Sequence, residues 1–254
     1  MHNGAIMPSE VAHLVDTDQT FPVIRLSGVL DAAAAPAVRS ALLEVLAPQP
    51  EAVIVDVADL RPADPVSAGV LAEVAAETAE WPATRIVLTT ANGAAGWASS
   101  GLPHFADRAA ALDGLGPAHP DDHLELVLEP VVGAARRARE LVTASCDRWD
   151  ADELADSATV VVTEMVNNVV AHARTEMTVL LSRRDEAVRV AVRDRSGTTP
   201  RFTGPVAPTS YGGRGLLLID SVADSWGSLL VPGGKIVWAL LSAAGTGIPT
   251  PVRG

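Results

Sequence analysis

Apolar positions in the first half of the chain fall in short continuous runs, separated by stretches with helical periodicity. Pro22-Val23-Ile24-Arg25-Leu26 reads as a strand, Gly28 to Asp31 as a turn, and the alanine-rich segment to about Ala47 as a helix. Ala52–Val57 is a second run of strand length, unbroken in the way a strand covered on both faces requires. A helix from about Ser67 to Trp81, a strand over Thr84–Thr89, a shorter helix near Ala94–Ser99, a strand around Phe105 and a final helix continue the alternation. This pattern predicts one small sheet with helices packed against it.

Between Gly114 and Asp122 the sequence Gly-Leu-Gly-Pro-Ala-His-Pro-Asp-Asp has structure breakers and no apolar period. It predicts a linker at 115–122 between a domain at 1–114 and another at 123–254. The second domain opens with a strand, Leu124–Leu128. Helices follow at about Val131–Arg148 and Asp152–His172, the latter beginning with acids that suit a helix N-terminus. Thr178–Arg183 and Ala187–Asp194 read as paired strands joined by the polar turn Arg184-Asp185-Glu186. Glycine and proline dominate 197–213, ahead of a helix over Gly215–Ala223 and a closing strand over Lys235–Leu241. The expected fold class is α/β in both halves, the second an α/β sandwich.

Length and composition agree with two folded domains: 254 residues, 48% hydrophobic and 20% charged. The formal charge of −12 is unevenly shared. The first 116 residues carry 5 Arg and 14 acids, net −9, and the rest 14 Arg or Lys and 17 acids, net −3. Displacing counterions from nucleic acid phosphates needs a basic face, so direct nucleic acid binding is not expected. No apolar run approaches the roughly 20 residues that span a bilayer, and Met1-His2-Asn3-Gly4 lacks the features of a signal peptide. The expectation is a cytoplasmic protein without a membrane partner. Cys146, the single cysteine, agrees with a reducing compartment and reads as a helix-packing residue. Arginine outnumbers lysine eighteen to one, which reads as genome base composition.

Chemistry concentrates in the second half. Along Val160–Ala173 the polar residues Glu164, Asn168 and His172 recur every four positions and so share one stripe of a helix otherwise rich in valine. An amide oxygen such as that of Asn168 suits Mg²⁺, a hard ion that takes oxygen ligands beside a triphosphate. A carboxylate one turn earlier, Glu164, suits a base that takes a proton from an attacking hydroxyl. Asp194 closes a strand ahead of Arg195-Ser196-Gly197, where a carboxylate can meet the exocyclic amine of a base. Gly212-Gly213-Arg214-Gly215-Leu216 opens a helix whose free N–H groups attract phosphate. Each feature has an ordinary structural reading: helix polar groups that satisfy loops, a turn-capping aspartate, a plain loop-to-helix turn. Their combination in this order points to a nucleotide site.

Glu164-Met-Val-Asn-Asn168-Val-Val-Ala-His172-Ala resembles the N box of the GHKL ATPases, the superfamily of gyrase, histidine kinases and MutL. Asp194 and Gly197 resemble its first glycine box, with Ser196 standing where that box usually has glycine. Gly213-Arg214-Gly215-Leu216, with Trp226-Gly227 and Gly234-Lys235-Ile236-Val237-Trp238, is similar to the second box and closing strand of the anti-sigma-factor serine kinase branch. The resemblance covers about 120 residues. It implies a Bergerat fold in which Asn168 holds Mg²⁺, Glu164 acts as base, Asp194 reads adenine and His172 lies near the phosphates of ATP. Gly197, Gly213, Arg214, Gly215 and Leu216 would complete the nucleotide site. The implied function is an anti-sigma factor that uses Mg-ATP to phosphorylate a serine on an antagonist protein. A sigma factor and that antagonist are its implied partners, and a homodimer its implied assembly. A nucleotide-dependent binding module without kinase activity is the alternative.

The first half resembles a STAS domain, the fold of anti-sigma-factor antagonists, through Leu26-Ser27-Gly28-Val29-Leu30-Asp31, Val53–Val57 and the loop to Asp64. Antagonists carry Asp-Ser-Ser-Gly at the start of the second helix and are phosphorylated on the second serine, where this chain has Asp64-Pro65-Val66-Ser67. Valine has no hydroxyl to accept a phosphoryl group. The STAS-like half is therefore expected to dock or regulate rather than serve as substrate, with Ser67 expected as a helix N-cap.

Overall fold

The computed structural model describes residues 11–91, 96–119, 122–198 and 214–243. The chain divides into two compact units, Met1–His119 and Pro120–Gly254.

The first unit is built on a five-stranded sheet in the order β1 (Ala12–Asp16), β2 (Val23–Leu30), β3 (Ala52–Pro62), β4 (Arg85–Thr89) and β5 (His104–Phe105). β1 runs antiparallel to β2, and the remaining neighbours are parallel. Parallel pairing demands crossovers: α1 (Ala35–Leu46) joins β2 to β3 and α2 (Gly69–Glu77) joins β3 to β4, while α3 (Arg108–Leu115) follows the last strand and packs on the sheet. Side chains alternate across the sheet: Ala52 and Ile54 of β3 join Val23, Val87, Ala111 and Leu115 under α3. Val53 and Val55, equally inaccessible, point to the opposite face. Both faces are covered, as the unbroken apolar run of β3 requires.

The second unit is an antiparallel sheet in the order β6 (His123–Leu128), β7 (Met177–Arg184), β8 (Ala187–Asp194), β10 (Gly234–Ser242) and β9 (Ser225–Val231). Among the described residues, the α-helices α4 (Ala134–Arg148), α5 (Asp152–Asn168) and α6 (Arg214–Val222) accompany it. α5 contains a run of β-branched residues that is poor for isolated helix, so burial has to hold it. Leu154, Ala158, Val161, Val162, Met165 and Val166 are buried at helical spacing. They form one core with Val179, Val188, Val190, Val192 and Ile219. Each large aliphatic side chain so buried contributes about 1.5–3 kcal/mol. Asp152 and Glu153 in the first turn complement the helix dipole. Cys146 lies in the same core, and burial pushes its thiol pKa up, away from reactivity.

Several sequence expectations are corrected. The sequence pattern predicts neither β1 nor β9: both are edge strands with mostly exposed or half-buried residues, so neither shows a clean apolar alternation. β9 also contains Gly227, which admits the Trp238 indole; a β-carbon there would stand 2.8 Å from the ring. α2 begins at Gly69 with Ala68 as its N-cap, so Ser67 is not the cap. Instead the backbone N–H and hydroxyl of Ser67 both donate to Asp64 Oδ1, at 2.8 and 3.1 Å, and hold that exposed carboxyl below its ordinary pKa. The short helix near Ala94–Ser99 falls partly outside the described residues, and a 3-10 turn occupies Ala98–Ser100. The long helix expected to His172 is α-helical only to Asn168. Val169–Ala173 form a π-helical turn, closed by a hydrogen bond from Arg174 N–H to Val169 O and by Arg174 in the left-handed region. Among the described residues no helix is long and apolar enough to cross a membrane.

Candidate nucleotide site

A cavity of about 380 Å³ opens in the second unit between the C-terminal end of α5, the start of α6 and the strands β8 and β10. Met165, Val169, Val192, Leu216 and Val237 supply apolar lining. Asn168, His172, Asp194, Ser196, Thr198 and Lys235 supply the polar groups. Apolar walls with a few convergent polar groups are the usual make-up of a small-molecule site. The walls fit a flat base and the polar groups a more hydrophilic remainder, so the residues present suit a nucleotide.

Each residue singled out in the sequence has a definite place. Asn168, His172, Asp194, Gly215 and Leu216 all line this one cavity. His172 does so from the π turn, where the wider coil leaves its side chain exposed. Glu164 is not among the lining residues. Its carboxylate packs against the start of α6, where a β-carbon on Gly215 would lie 2.7 Å from Glu164 Oε2. Gly197 is also not among the lining residues, and none of the described residues comes within 4 Å of where its β-carbon would stand. Arg214 is the first residue of α6. Gly213 lies outside the described residues.

Asp194 ends β8 and is 2% exposed. Its partner is a residue that sequence reasoning passed over, Lys235, opposite it on β10. The ammonium lies 2.9 Å from Oδ1 and 2.8 Å from Oδ2, while the Ser196 N–H donates to Oδ1 at 2.7 Å. Lys235 is itself 7% exposed, so this is a buried ion pair at the wall of the cavity. One signal was available in the sequence: Lys235 is the only lysine in the chain. Among the described residues there is no cluster of three His, Cys, Asp or Glu able to hold a metal unaided.

Residues 128–241 match the family described as histidine kinase-like ATPase domain. Residues 13–98 match the STAS domain family described as Mlab, STAS domain. The chain carries a STAS domain and a histidine kinase-like ATPase domain. The cavity with Asn168 and Asp194 belongs to the ATPase domain, whose matched span contains every described residue that lines it. No curated protein matches the chain. Among solved structures, an anti-sigma factor antagonist from Mycobacterium paratuberculosis is similar at 21% identity, covering 43% of this chain and 97% of its own, with a TM-score of 0.36. The RsbU and RsbW domains of a Mycobacterium tuberculosis protein are similar at 19% identity, covering 50% of this chain and 33% of that one, with a TM-score of 0.37.

In the STAS domain, Val66 is 86% exposed, so no packing requirement explains valine there. Ser67 beside it is buried and tied to Asp64. A separate cavity of about 500 Å³ adjoins the C-terminal stretch of β3, lined by Val57–Pro62, Thr90, Gly96 and Trp97. None of the motif residues reaches it.

Proposed function

We propose that the chain is a nucleotide-dependent partner-switching regulator, in which the ATPase domain takes Mg-ATP and the STAS domain serves as a docking module. The observation that carries this reading is the single cavity shared by Asn168, His172, Asp194, Gly215 and Leu216, residues from three separate stretches of sequence. In this reading the apolar walls hold the base, Asn168 gives one oxygen to Mg²⁺, and the start of α6 at Gly215 serves the phosphates, with Gly213 and Arg214 as candidate residues by motif position alone. Because no metal-binding cluster exists among the described residues, Mg²⁺ would be held jointly with phosphate oxygens. Bound Mg-ATP would supply the phosphoryl group for a serine on a separate antagonist protein, with a sigma factor as the second partner and a homodimer as the working assembly. Glu164 is the candidate base and Gly197 a candidate loop residue of the site.

The test is calorimetric titration of ATP, with and without Mg²⁺, into the parent and Asn168→Ala proteins. Binding that needs both the ion and Asn168 is the expected result, and a folded parent that binds no nucleotide would end this reading. One observation favours a second reading, a nucleotide-dependent binding module without transfer: the Glu164 carboxylate packs on Gly215 and does not line the cavity. Glu164→Gln separates the two. Loss of phosphate transfer to a partner with nucleotide affinity retained supports the kinase, and absence of transfer in the parent supports the binding module.

A further inference from the structure

The cavity of about 500 Å³ in the first unit takes no part in the nucleotide reading. It is bordered by residues 57–62 of β3 in unbroken succession, together with Thr90, Gly96 and Trp97. Successive side chains of a strand point to opposite faces of the sheet, so a cavity on either face would meet every second residue. One that meets six in a row lies along the edge of the strand, beside its main chain.

The sheet itself creates that edge. β4 pairs only with Ala52–Asp56 of β3 and ends at Thr89, whereas β3 continues to Pro62 with β2 along its other side. Thr90, the residue after β4, borders the cavity. The cavity therefore occupies the line that β4 would follow if it were longer. Among the described residues, no main-chain group of a loop bonds to residues 57–62. The Ala58 N–H is satisfied locally by Asp56 Oδ1 at 3.1 Å, and Pro62 has no N–H to give, so the open stretch centres on Asp59–Arg61. At about 3.3 Å per residue the trench runs roughly 17 Å, the length of about five residues of extended chain. A row of main-chain donors and acceptors of that length matches another polypeptide in extended form better than it matches a compact small molecule.

The side chains say which polypeptide. Asp59 and Arg61 are both exposed and, two positions apart, lie on one face. Among the described residues neither has an ion-pair partner. Charges on an open edge deter indiscriminate strand pairing and select a chain whose own charges answer them. Opposite charges facing one another across strands stabilise the pairing. A basic residue against Asp59 and an acidic one against Arg61 meet that condition. Leu60, between them, is buried on the opposite face, where an apolar residue of the incoming chain fits.

We propose that the open edge of β3 is a docking site for an extended segment of a partner protein, added as a strand, with a basic and an acidic residue flanking an apolar one. The proposal rests on the docking role given to the STAS domain and deepens it, naming the surface and the chemistry of what it takes.

The experiment is an NMR titration of the ¹⁵N-labelled full chain with two blocked peptides, Val-Lys-Val-Glu-Val and its reverse, Val-Glu-Val-Lys-Val. One order matches Asp59 and Arg61 if the added strand runs parallel to β3, the other if it runs antiparallel. One of the two should give saturable shifts at the amides of residues 57–61, Thr90 and Gly96, and the other should bind more weakly. N-methylation of alternate peptide nitrogens, in one of the two possible registers, should weaken binding about tenfold or more. Asp59→Lys with Arg61→Glu exchanges the charges at two exposed positions, and this double variant should prefer the order that the parent binds less well. Absence of binding by both peptides overturns the proposal. An unaltered preference in the double variant overturns it too, as do N-methylated peptides that bind equally well in both registers. Shifts gathered elsewhere on the STAS domain overturn the surface named here while leaving the docking role in place. The nucleotide titration is unaffected by any of these results.

Discussion

Gly215 faces Glu164 so closely that a β-carbon on the glycine would stand 2.7 Å from Glu164 Oε2 and 3.6 Å from its Cβ and Cδ. The obstacle is the far end of a flexible side chain, so Gly215→Ala is expected to fold, with the carboxylate swung aside. Alanine gains about 1 kcal/mol of helix propensity over glycine, which offsets the repacking. The urea midpoint should correspond to a stability within about 1 kcal/mol of the parent. Nucleotide affinity should fall severalfold, because the displaced Glu164 carboxylate no longer packs against the start of α6. An affinity equal to the parent's would show that this contact does not shape the site.

Asn168 is half-buried and lines the cavity at the last turn of α5, whereas its neighbours Met165, Val166 and Val169 carry the packing. Asn168→Ala should therefore leave the thermal midpoint within about 4 °C of the parent, equivalent to less than about 1 kcal/mol. Mg-dependent nucleotide affinity should drop at least tenfold by calorimetry. A large fall in stability without any change in affinity would make Asn168 a structural residue.

The Asp194–Lys235 pair predicts a non-additive pattern. Removing one partner strands a buried charge, so Lys235→Met should cost about 3–5 kcal/mol. Asp194→Asn with Lys235→Met removes both charges, while the amide oxygen of the introduced asparagine can still accept the Ser196 N–H. The double variant should recover at least half of the loss, as read from urea unfolding of the single and double variants. Additive losses would mean that the two side chains are not coupled.

Two glycines in the matched motifs should respond oppositely to alanine. Gly234→Ala would drive a β-carbon to 1.9 Å from the Asp194 carbonyl oxygen and 2.9 Å from the Arg195 Cα. Both are backbone atoms, so the strands must part. The cost should reach about 3 kcal/mol, the upper end for overpacking. Among the described residues nothing lies within 4 Å of the same construction at Gly197, and Gly197→Ala should stay within about 0.5 kcal/mol of the parent. Thermal unfolding of the pair decides this; equal losses would contradict the packing described.

Local rules made much of this legible. The four-residue spacing of Glu164 and Asn168 fixed a helix face, and the unbroken run Ala52–Val57 identified a strand buried on both sides. His172 was harder, because the switch from α to π coil after Asn168 is set by tertiary packing and by Arg174 in the left-handed region. Edge strands β1 and β9 lack a buried face to imprint a period on their sequences. Lys235 shows the sharpest limit. Its charge was visible, but its pairing depends on the β8–β10 register, which joins residues 41 positions apart. Gly197 entered through motif position and Glu164 through the four-residue stripe, yet the cavity is lined without them.

His123 gives the last prediction, for pH. It opens β6, and its Nδ1 is buried with no hydrogen-bond partner among the described residues. Burial, opposed by the nearby Glu125 carboxylate, lowers its pKa below the ordinary value of 6.5. In the unfolded chain the ring regains that ordinary value. Between the two pKa values the unfolded state binds more protons, so stability rises with pH there. The contribution is complete above about pH 6.5 and is lost as pH falls through the depressed native pKa. The urea midpoint of the parent should therefore decline as pH is lowered from about 7.5 to 5. In His123→Leu this part of the decline should vanish, leaving a shallower profile. Parallel profiles for the two proteins would show that His123 protonates as readily folded as unfolded, and that its burial carries no proton linkage.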